Sequence, residues 1–293
     1  MSLAAQTVTW GDVAMDAARR LGDAGVADAE VQARRLVEQA SGYEGGEYYI
    51  GLTRGASQRQ LAHLDSMLGR RLAGEPLQYV LGRWGFRGLD LMVSPAVLIP
   101  RPETETLAGL AVAELSRRDL AGGLVVDLGT GSGAIGLAVA AECDMARVVL
   151  TDVSAEALAV ARANLAGLGR AAVRVSALQG SWYEALPESM VGTVDVVVSN
   201  PPYVRDDETL PPDVADWEPA MALRGGADGL DGARRILADA PRWLSPEGSV
   251  LLELAPDQME AAGAMAQAGG LVVEAVHPDL AGRGRVLHCR RNL

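Results

Sequence analysis

The chain contains no lysine; all 26 of its basic residues are arginine. With so much alanine and glycine, that bias reads as GC-rich coding rather than as function. Against 38 acidic residues it leaves a net charge of −12. A general nucleic-acid binder needs a concentrated basic surface to neutralise phosphates, so that class is excluded. A local basic patch or a basic protein partner stays open. Two cysteines, Cys143 and Cys289, without CxxC spacing, exclude a disulfide framework and are expected to be reduced. His63, His277 and His288 are scattered without ligand spacing, and no metal is expected. No uninterrupted apolar run approaches the roughly 18 residues of a membrane span, and no basic-then-apolar signal opens the chain. A cytoplasmic protein with no membrane partner is the expectation.

What is present is apolar and patterned. Hydrophobic residues make up 49% of 293, enough for one large domain or two smaller ones, each with a core. Trp10, Val13, Ala14, Ala17, Ala18 and Leu21 recur at helical spacing, with Gly22 as a stop. A second helix is predicted over Ala27 to Gln39. A third starts at Ser57, capped with Gln60, and runs to Leu72. From Pro76 the period changes: residues 79–86 and 89–93 read as a hairpin. Next, Leu98-Ile99-Pro100-Arg101-Pro102-Glu103-Thr104-Glu105 holds two prolines around an arginine, a stiff extended segment leading into a helix to Arg118. Arg101 there either lines a channel or pairs with Glu103 or Glu105.

Beyond Gly122 strands and helices alternate, the pattern of an α/β domain with a parallel sheet. Strands are predicted at 124–128, 148–151, 173–177, 194–198, 249–254, 272–276 and 286–289. Helices are predicted at 134–141 and from Ser154 to Leu168.

Two stretches carry chemistry. Gly129-Thr130-Gly131-Ser132-Gly133 follows the first apolar strand, and glycines there let the backbone turn tightly and approach a ligand. Asp127 ends the strand, where a carboxylate is suited to an ammonium group. Asp152 ends the next strand 19 residues after Gly133, where it can accept both ribose hydroxyls. A dinucleotide reading expects G-x-G-x-x-G and a pyrophosphate. Here the residue two after Gly131 is again glycine and the strand-end acid suits a cationic ligand, features that fit S-adenosylmethionine better than NAD. Trp182 is either an adenine neighbour or a core residue.

The second stretch, Ser199-Asn200-Pro201-Pro202-Tyr203, follows the buried run 194–198. The prolines offer carbonyls without competing N–H groups. With the Asn200 side-chain oxygen they form a rigid array of acceptors that can grip an –NH2 group by both hydrogens. Tyr203 offers a flat face to a planar substrate group.

In this order, NPPY, the glycine turn and Asp152 resemble the class I S-adenosylmethionine-dependent amino methyltransferases. More narrowly, the chain resembles the HemK/PrmC protein-(glutamine-N5) methyltransferases. That likeness also rests on 76–82, 98–105, Glu218-Pro219 with Ala222-Leu223, 225–230 and 279–283. The resemblance implies a helical substrate-docking domain over 1–75, a β-hairpin and extended linker over 76–103, and a Rossmann-like methyltransferase domain over 104–293. It implies cofactor binding by Gly129, Thr130, Gly131, Ser132, Gly133, Asp152, Trp182 and Asn200, with S-adenosylhomocysteine as product. It implies that Asn200, Pro201, Pro202 and Tyr203 hold a glutamine of class I peptide chain release factors, with Asn200, Pro201 and Tyr203 catalytic. A monomer without direct nucleic-acid contact is also implied. The chain departs from the family pattern at Ser181, where an acid is usual, and at Ala255, where glycine is common. Three rivals stand beside this reading: an adenine or cytosine amino methyltransferase of DNA or RNA, a non-catalytic cofactor-binding interaction protein, and an NAD-linked oxidoreductase.

Overall fold

The computed structural model describes residues 8–117 and 122–292. Its described residues fall into two compact units. One takes those up to Gly82 together with Pro212–Trp217, and the other takes Arg83–Pro211 and the residues from Glu218 onward.

The first unit is helical: α1 (Trp10–Asp23), α2 (Ala29–Ser41), α3 (Gly46–Gly51), α4 (Gln58–Leu72) and α5 (Leu77–Leu81). Thr9 and Asp12 cap α1 reciprocally, and Ser57 and Gln60 do the same for α4. Trp10, Leu21, Leu36 and Leu68 fill the space between the helices. Residues 79–82 were expected to open a strand. Instead Pro76 precedes a helical turn that ends at Gly82 in the left-handed region, φ 72°. Leu77, Tyr79 and Val80 are buried from that turn, so burial at helical spacing overrides the β-favouring side chains.

The second unit opens with the hairpin β1 (Arg83–Phe86) and β2 (Leu89–Met92), followed by α6 (Thr104–Arg117). The expected end of α6 at Arg118 lies outside the described residues. Then come β3 (Leu124–Leu128), α7 (Ala134–Glu142), β4 (Arg147–Asp152), α8 (Ala155–Ala166), β5 (Val175–Gln179) and β6 (Val194–Ser199). After the short turn α9 (Pro212–Ala215), which belongs to the first unit, the second unit resumes with the short turn α10 (Ala220–Leu223), α11 (Asp231–Trp243), β7 (Leu244–Glu253), α12 (Met259–Ala268), β8 (Leu271–Pro278) and β9 (Gly284–Arg291). Val173, expected in the third sheet strand, sits in a 3-10 turn over Gly169–Arg174 and is 89% exposed.

Seven strands lie in the order β5-β4-β3-β6-β7-β9-β8. The first five are parallel, and β9 is antiparallel to both neighbours. Side chains alternate across the sheet. Val126, Leu128 and Val197 pack with Ile236 and Leu237 of α11, while Val125, Val196 and Val198 pack with Leu107 of α6 and Leu137 of α7. Both faces are therefore covered, which explains the continuous apolar strands. The architecture is a Rossmann-like α/β sheet. The chain runs outward from β3 through β5 and returns to β6 on the other side of β3, so the strand order reverses between β3 and β6. Ligands bind open α/β sheets at the carboxyl ends of the strands flanking such a reversal. Among the described residues, no helix is long and apolar enough to cross a membrane.

Candidate functional site

The carboxyl ends of β3, β4 and β6 meet at the reversal. Ser199 donates its hydroxyl to the Leu128 carbonyl at 2.6 Å, tying β6 to β3 where the two ligand loops begin. After β3 the backbone enters the left-handed region at Gly129 (φ 69°), Gly131 (56°) and Gly133 (87°). Only glycine takes those angles without strain. The Thr130 N–H donates to the Thr151 carbonyl at 2.8 Å. The Gly131 N–H donates to Asp152 Oδ2 at 2.9 Å, and the Ser154 N–H to Asp152 Oδ1 at 2.9 Å. Each Asp152 oxygen keeps a lone pair after these bonds.

Asp127 does not face a ligand, as was expected of it. Its side chain is fully buried, and its Oδ2 accepts the Thr130 hydroxyl at 2.6 Å and the Gly136 N–H at 2.9 Å. Alternation along β3 turns it toward α7, so it pins the glycine turn to that helix. Burial pushes its carboxyl up to about 6, against the opposing pull of those two donors. Its Oδ1 is buried without a partner.

One cavity of about 440 Å³ opens over these strand ends. Its wall holds Gly129, Thr130, Gly131, Ser132, Asp152, Trp182, Asn200 and Pro202, with apolar surface from Val97, Leu98 and Ile135. Gly133, Pro201 and Tyr203 are not on that wall. Trp182 faces both the core and the cavity: its ring packs against the first and lines the second. A Cβ at Gly129 would come within 3.4 Å of the ring and one at Gly232 within 3.3 Å. Ser181 stands at the cavity where the family pattern has an acid.

The donor set fits an S-adenosylated amino acid. A carboxylate already oriented by two backbone amides keeps the lone pairs to accept a pair of neighbouring hydroxyls. Positive-φ glycines without side chains flank it, and a Cβ at Gly131 would meet nothing within 4 Å. The volume suits a ligand of that size.

The NPPY segment is backed by three glycines, one behind each of its last three residues. A Cβ at Gly225 would collide with the Pro202 carbonyl, and one at Gly229 with the Tyr203 carbonyl. One at Gly232 would sit 2.9 Å from Pro201 Cβ. Gln258 Nε2 donates to the Tyr203 carbonyl at 2.9 Å, and the Val204 N–H to the Leu223 carbonyl at 2.9 Å. Among the described residues no donor reaches the Pro201 carbonyl. Asn200, half-buried, donates Nδ2–H to Thr104 Oγ1 at 3.2 Å, which turns its Oδ1 away from Thr104. The Tyr203 ring packs against the core, and burial, reinforced by the nearby Glu253 charge, raises its phenol pKa.

The chain matches two known domains: residues 108–215 the methyltransferase small domain and residues 12–82 the PrmC N-terminal domain. It is 39% identical to a release factor glutamine methyltransferase of Agrobacterium fabrum, over 94% of this chain and 95% of that protein. It is 46% identical to one of Bordetella pertussis, over 79% of this chain and 81% of that protein. The chain belongs to the release factor glutamine methyltransferase family. A methyltransferase from Pyrococcus furiosus shares the fold, with a TM-score of 0.50 and 22% identity over 78% of this chain and all of that one.

Three polar residues of this family member's site carry roles that its motifs do not announce. Arg101 lines the cavity, but its partner is neither Glu103 nor Glu105. It pairs with Glu218, whose side chain is 1% exposed and also accepts the Ile99 N–H at 3.1 Å. Thr104, the first residue of α6, is buried at the cavity and holds the Asn200 amide. Glu253 ends β7 and is 1% exposed. Burial pushes its carboxyl up to about 7, offset in part by the Thr104 hydroxyl and by Arg285. A signal for Glu253 existed: an acid closing the apolar run Val250-Leu251-Leu252, in the strand after NPPY. The signal for Thr104 was its position in the proline-stiffened segment.

Proposed function

We propose that this protein transfers a methyl group from S-adenosylmethionine to the side-chain amide nitrogen of the glutamine in the Gly-Gly-Gln loop of class I release factors. The observation that carries this reading is the Asn200 carboxamide, with its NH2 bonded to Thr104 and its oxygen turned away from it, on the wall of a cavity that fits the methyl donor. When bound, that donor supplies an electrophilic methyl on a sulfonium.

The residues do the rest by position. An amide nitrogen is a poor nucleophile because its lone pair is delocalised, and Asn200 cannot act as a base, since its amide does not titrate. Asn200 Oδ1 and the Pro201 carbonyl accept the two N–H hydrogens of the glutamine. That fixes the nitrogen's remaining face toward the cofactor and stabilises positive charge as it develops there. Pro202 and Tyr203 complete the glutamine pocket, with Gly225, Gly229 and Gly232 holding the segment from behind. Asp152 binds the ribose, the turn 129–133 approaches the amino-acid end, and Trp182 lies beside the adenine. The proton leaves to water after transfer. A glutamine preceded by two glycines suits this site, because a side-chain-free approach enters a narrow pocket. The helical unit docks the release factor, and the enzyme works as a cytoplasmic monomer without a metal.

The test is label transfer from S-adenosylmethionine to a purified release factor and to a variant whose Gly-Gly-Gln glutamine is alanine, with duplex DNA and transfer RNA as parallel acceptors. Label on the normal factor alone supports the reading. Label on nucleic acid alone overturns the substrate.

A further inference from the structure

Asn200 lies beside the end of β7. Ser199 is in parallel register with Leu252, so the next residue of each strand brings Asn200 alongside Glu253. Thr104 is linked to both: its oxygen accepts from Asn200 Nδ2 at 3.2 Å, and its hydroxyl is the side-chain group that pulls the Glu253 carboxyl down against the effect of burial. Thr104 and Glu253 are 4% and 1% exposed. Glu253 Oε2 is buried without a donor, and among the described residues no basic group forms an ion pair with it.

A hydroxyl has one proton to give and lone pairs to accept with. An amide presents a donor on one side and an acceptor on the other, and the two ends have nearly the same shape. Thr104 alone therefore does not decide which end of Asn200 turns toward it. If its proton points at Asn200, the amide oxygen turns in and the NH2 faces the cavity, where it would oppose a substrate N–H. If its proton is taken elsewhere, Thr104 can only accept, and Asn200 must present its NH2 inward and its oxygen outward.

We propose that Glu253 is a positioning residue for methyl transfer: by taking the Thr104 proton it forces the Asn200 carboxamide into the orientation that offers its oxygen to the substrate –NH2. The inference rests on the amide-methylating reading above. Glu253 is not among the residues that line the cavity. It acts through Thr104 on Asn200.

Protonation of Glu253 reverses the order of donors. A neutral carboxyl can itself donate to Thr104, freeing the threonine proton to point at Asn200 and turn the amide over. With its carboxyl near 7, Glu253 makes the orientation sensitive to neutral pH, correct above and inverted below. The charged and titratable groups facing it are Arg285 of β9, Arg101 and Glu103 ahead of α6, and Tyr203 after β6. The two arginines favour its ionised form and Glu103 opposes it. Tyr203, with its pKa raised, stays neutral through this range.

The experiment measures kcat and KM for methylation of a release factor between about pH 5.5 and 9, with S-adenosylhomocysteine affinity by calorimetry, for the full chain and three variants. The expected result is a wild-type kcat that rises with pH through about 7. Glu253→Gln flattens that rise and lowers kcat above it by about tenfold, the scale of one hydrogen bond, with nucleoside affinity unchanged. Thr104→Val gives a similar loss and Thr104→Ser restores it, which keeps the test decisive should Glu253→Gln fold poorly. A Glu253→Gln profile parallel to wild type, or a fully active Thr104→Val, overturns the inference while leaving the functional reading intact. A wild type that labels no release factor at any pH strikes down that reading and this inference together.

Discussion

Gly131 donates its backbone N–H to the Asp152 carboxylate across 2.9 Å, joining the turn after one sheet strand to the acid that ends its neighbour. The acid is thus oriented by the glycine it helps to hold in a left-handed conformation, and carboxylate orientation and loop geometry are set by the same bond.

Asp152→Ala removes both functions. It is expected to raise the dissociation constant for S-adenosylhomocysteine by roughly 10- to 100-fold, the equivalent of one charge-assisted hydrogen bond. Asp152→Asn, which keeps an acceptor for Gly131, is expected to lose less. Isothermal calorimetry checks both, and equal losses would deny the carboxylate a special part.

The glycines behind the NPPY segment make a second prediction. Gly225→Ala would drive a methyl group into the Pro202 carbonyl, a backbone atom that cannot rotate aside. We expect a stability loss of about 1–3 kcal/mol by overpacking, together with a fall in methyl transfer larger than any fall in cofactor affinity. Gly22→Ala is the control, since a Cβ there would come no nearer than 3.9 Å to Ala29. Denaturant titration and calorimetry on the same samples separate the effects.

The pH dependence of stability gives a third. Asp127 and Glu253 have folded pKa values near 6 and 7, above their ordinary values of 3.8 and 4.5. A carboxyl whose folded pKa is raised contributes stability that is full below its unfolded pKa and lost as pH rises through the folded one. Each shift corresponds to about 3 kcal/mol lost between acidic and mildly alkaline pH. Glu142 and Asp228, whose pKa values are lowered by their arginine and backbone partners, have gained their full contribution by about pH 5 and stay constant above it. His288, buried and lowered, works in the opposite sense near its ordinary value of 6.5, so the comparison with a variant is what counts. Melting temperatures from about pH 5 to 8.5 are expected to fall less for Glu253→Gln than for wild type. Parallel curves would mean that Glu253 titrates as it does in the unfolded chain.

Most of the fold is legible in the residues because the parallel strands are covered on both faces. That leaves continuous apolar runs such as 194–198, and the turns between them are marked by glycine and proline. The glycine turn, Asp152 and Asn200 follow from strand ends that the same runs define. What stays hidden depends on register and on faces. Asp127 and Asp152 both sit near strand ends and on the same face of the sheet, yet Asp127 is level with Leu150 under the helix layer, while Asp152 lies two residues farther along and reaches the cavity. Thr104, Glu218 and Glu253 come from three distant segments, and only the sheet order brings Glu253 beside Asn200. The turn over 77–81 defeats a propensity reading because its β-favouring side chains bury at helical spacing.

The central claim is that Asn200 presents its side-chain oxygen to the –NH2 group being methylated. The measurement that reaches it most directly is single-turnover methyl transfer to a release factor by Asn200→Ala, with cofactor affinity measured on the same preparation. By analogy with the removal of one oxyanion-hole donor, the account predicts a rate loss of about 10²- to 10³-fold with S-adenosylmethionine still bound. Near-normal turnover with cofactor bound would contradict it.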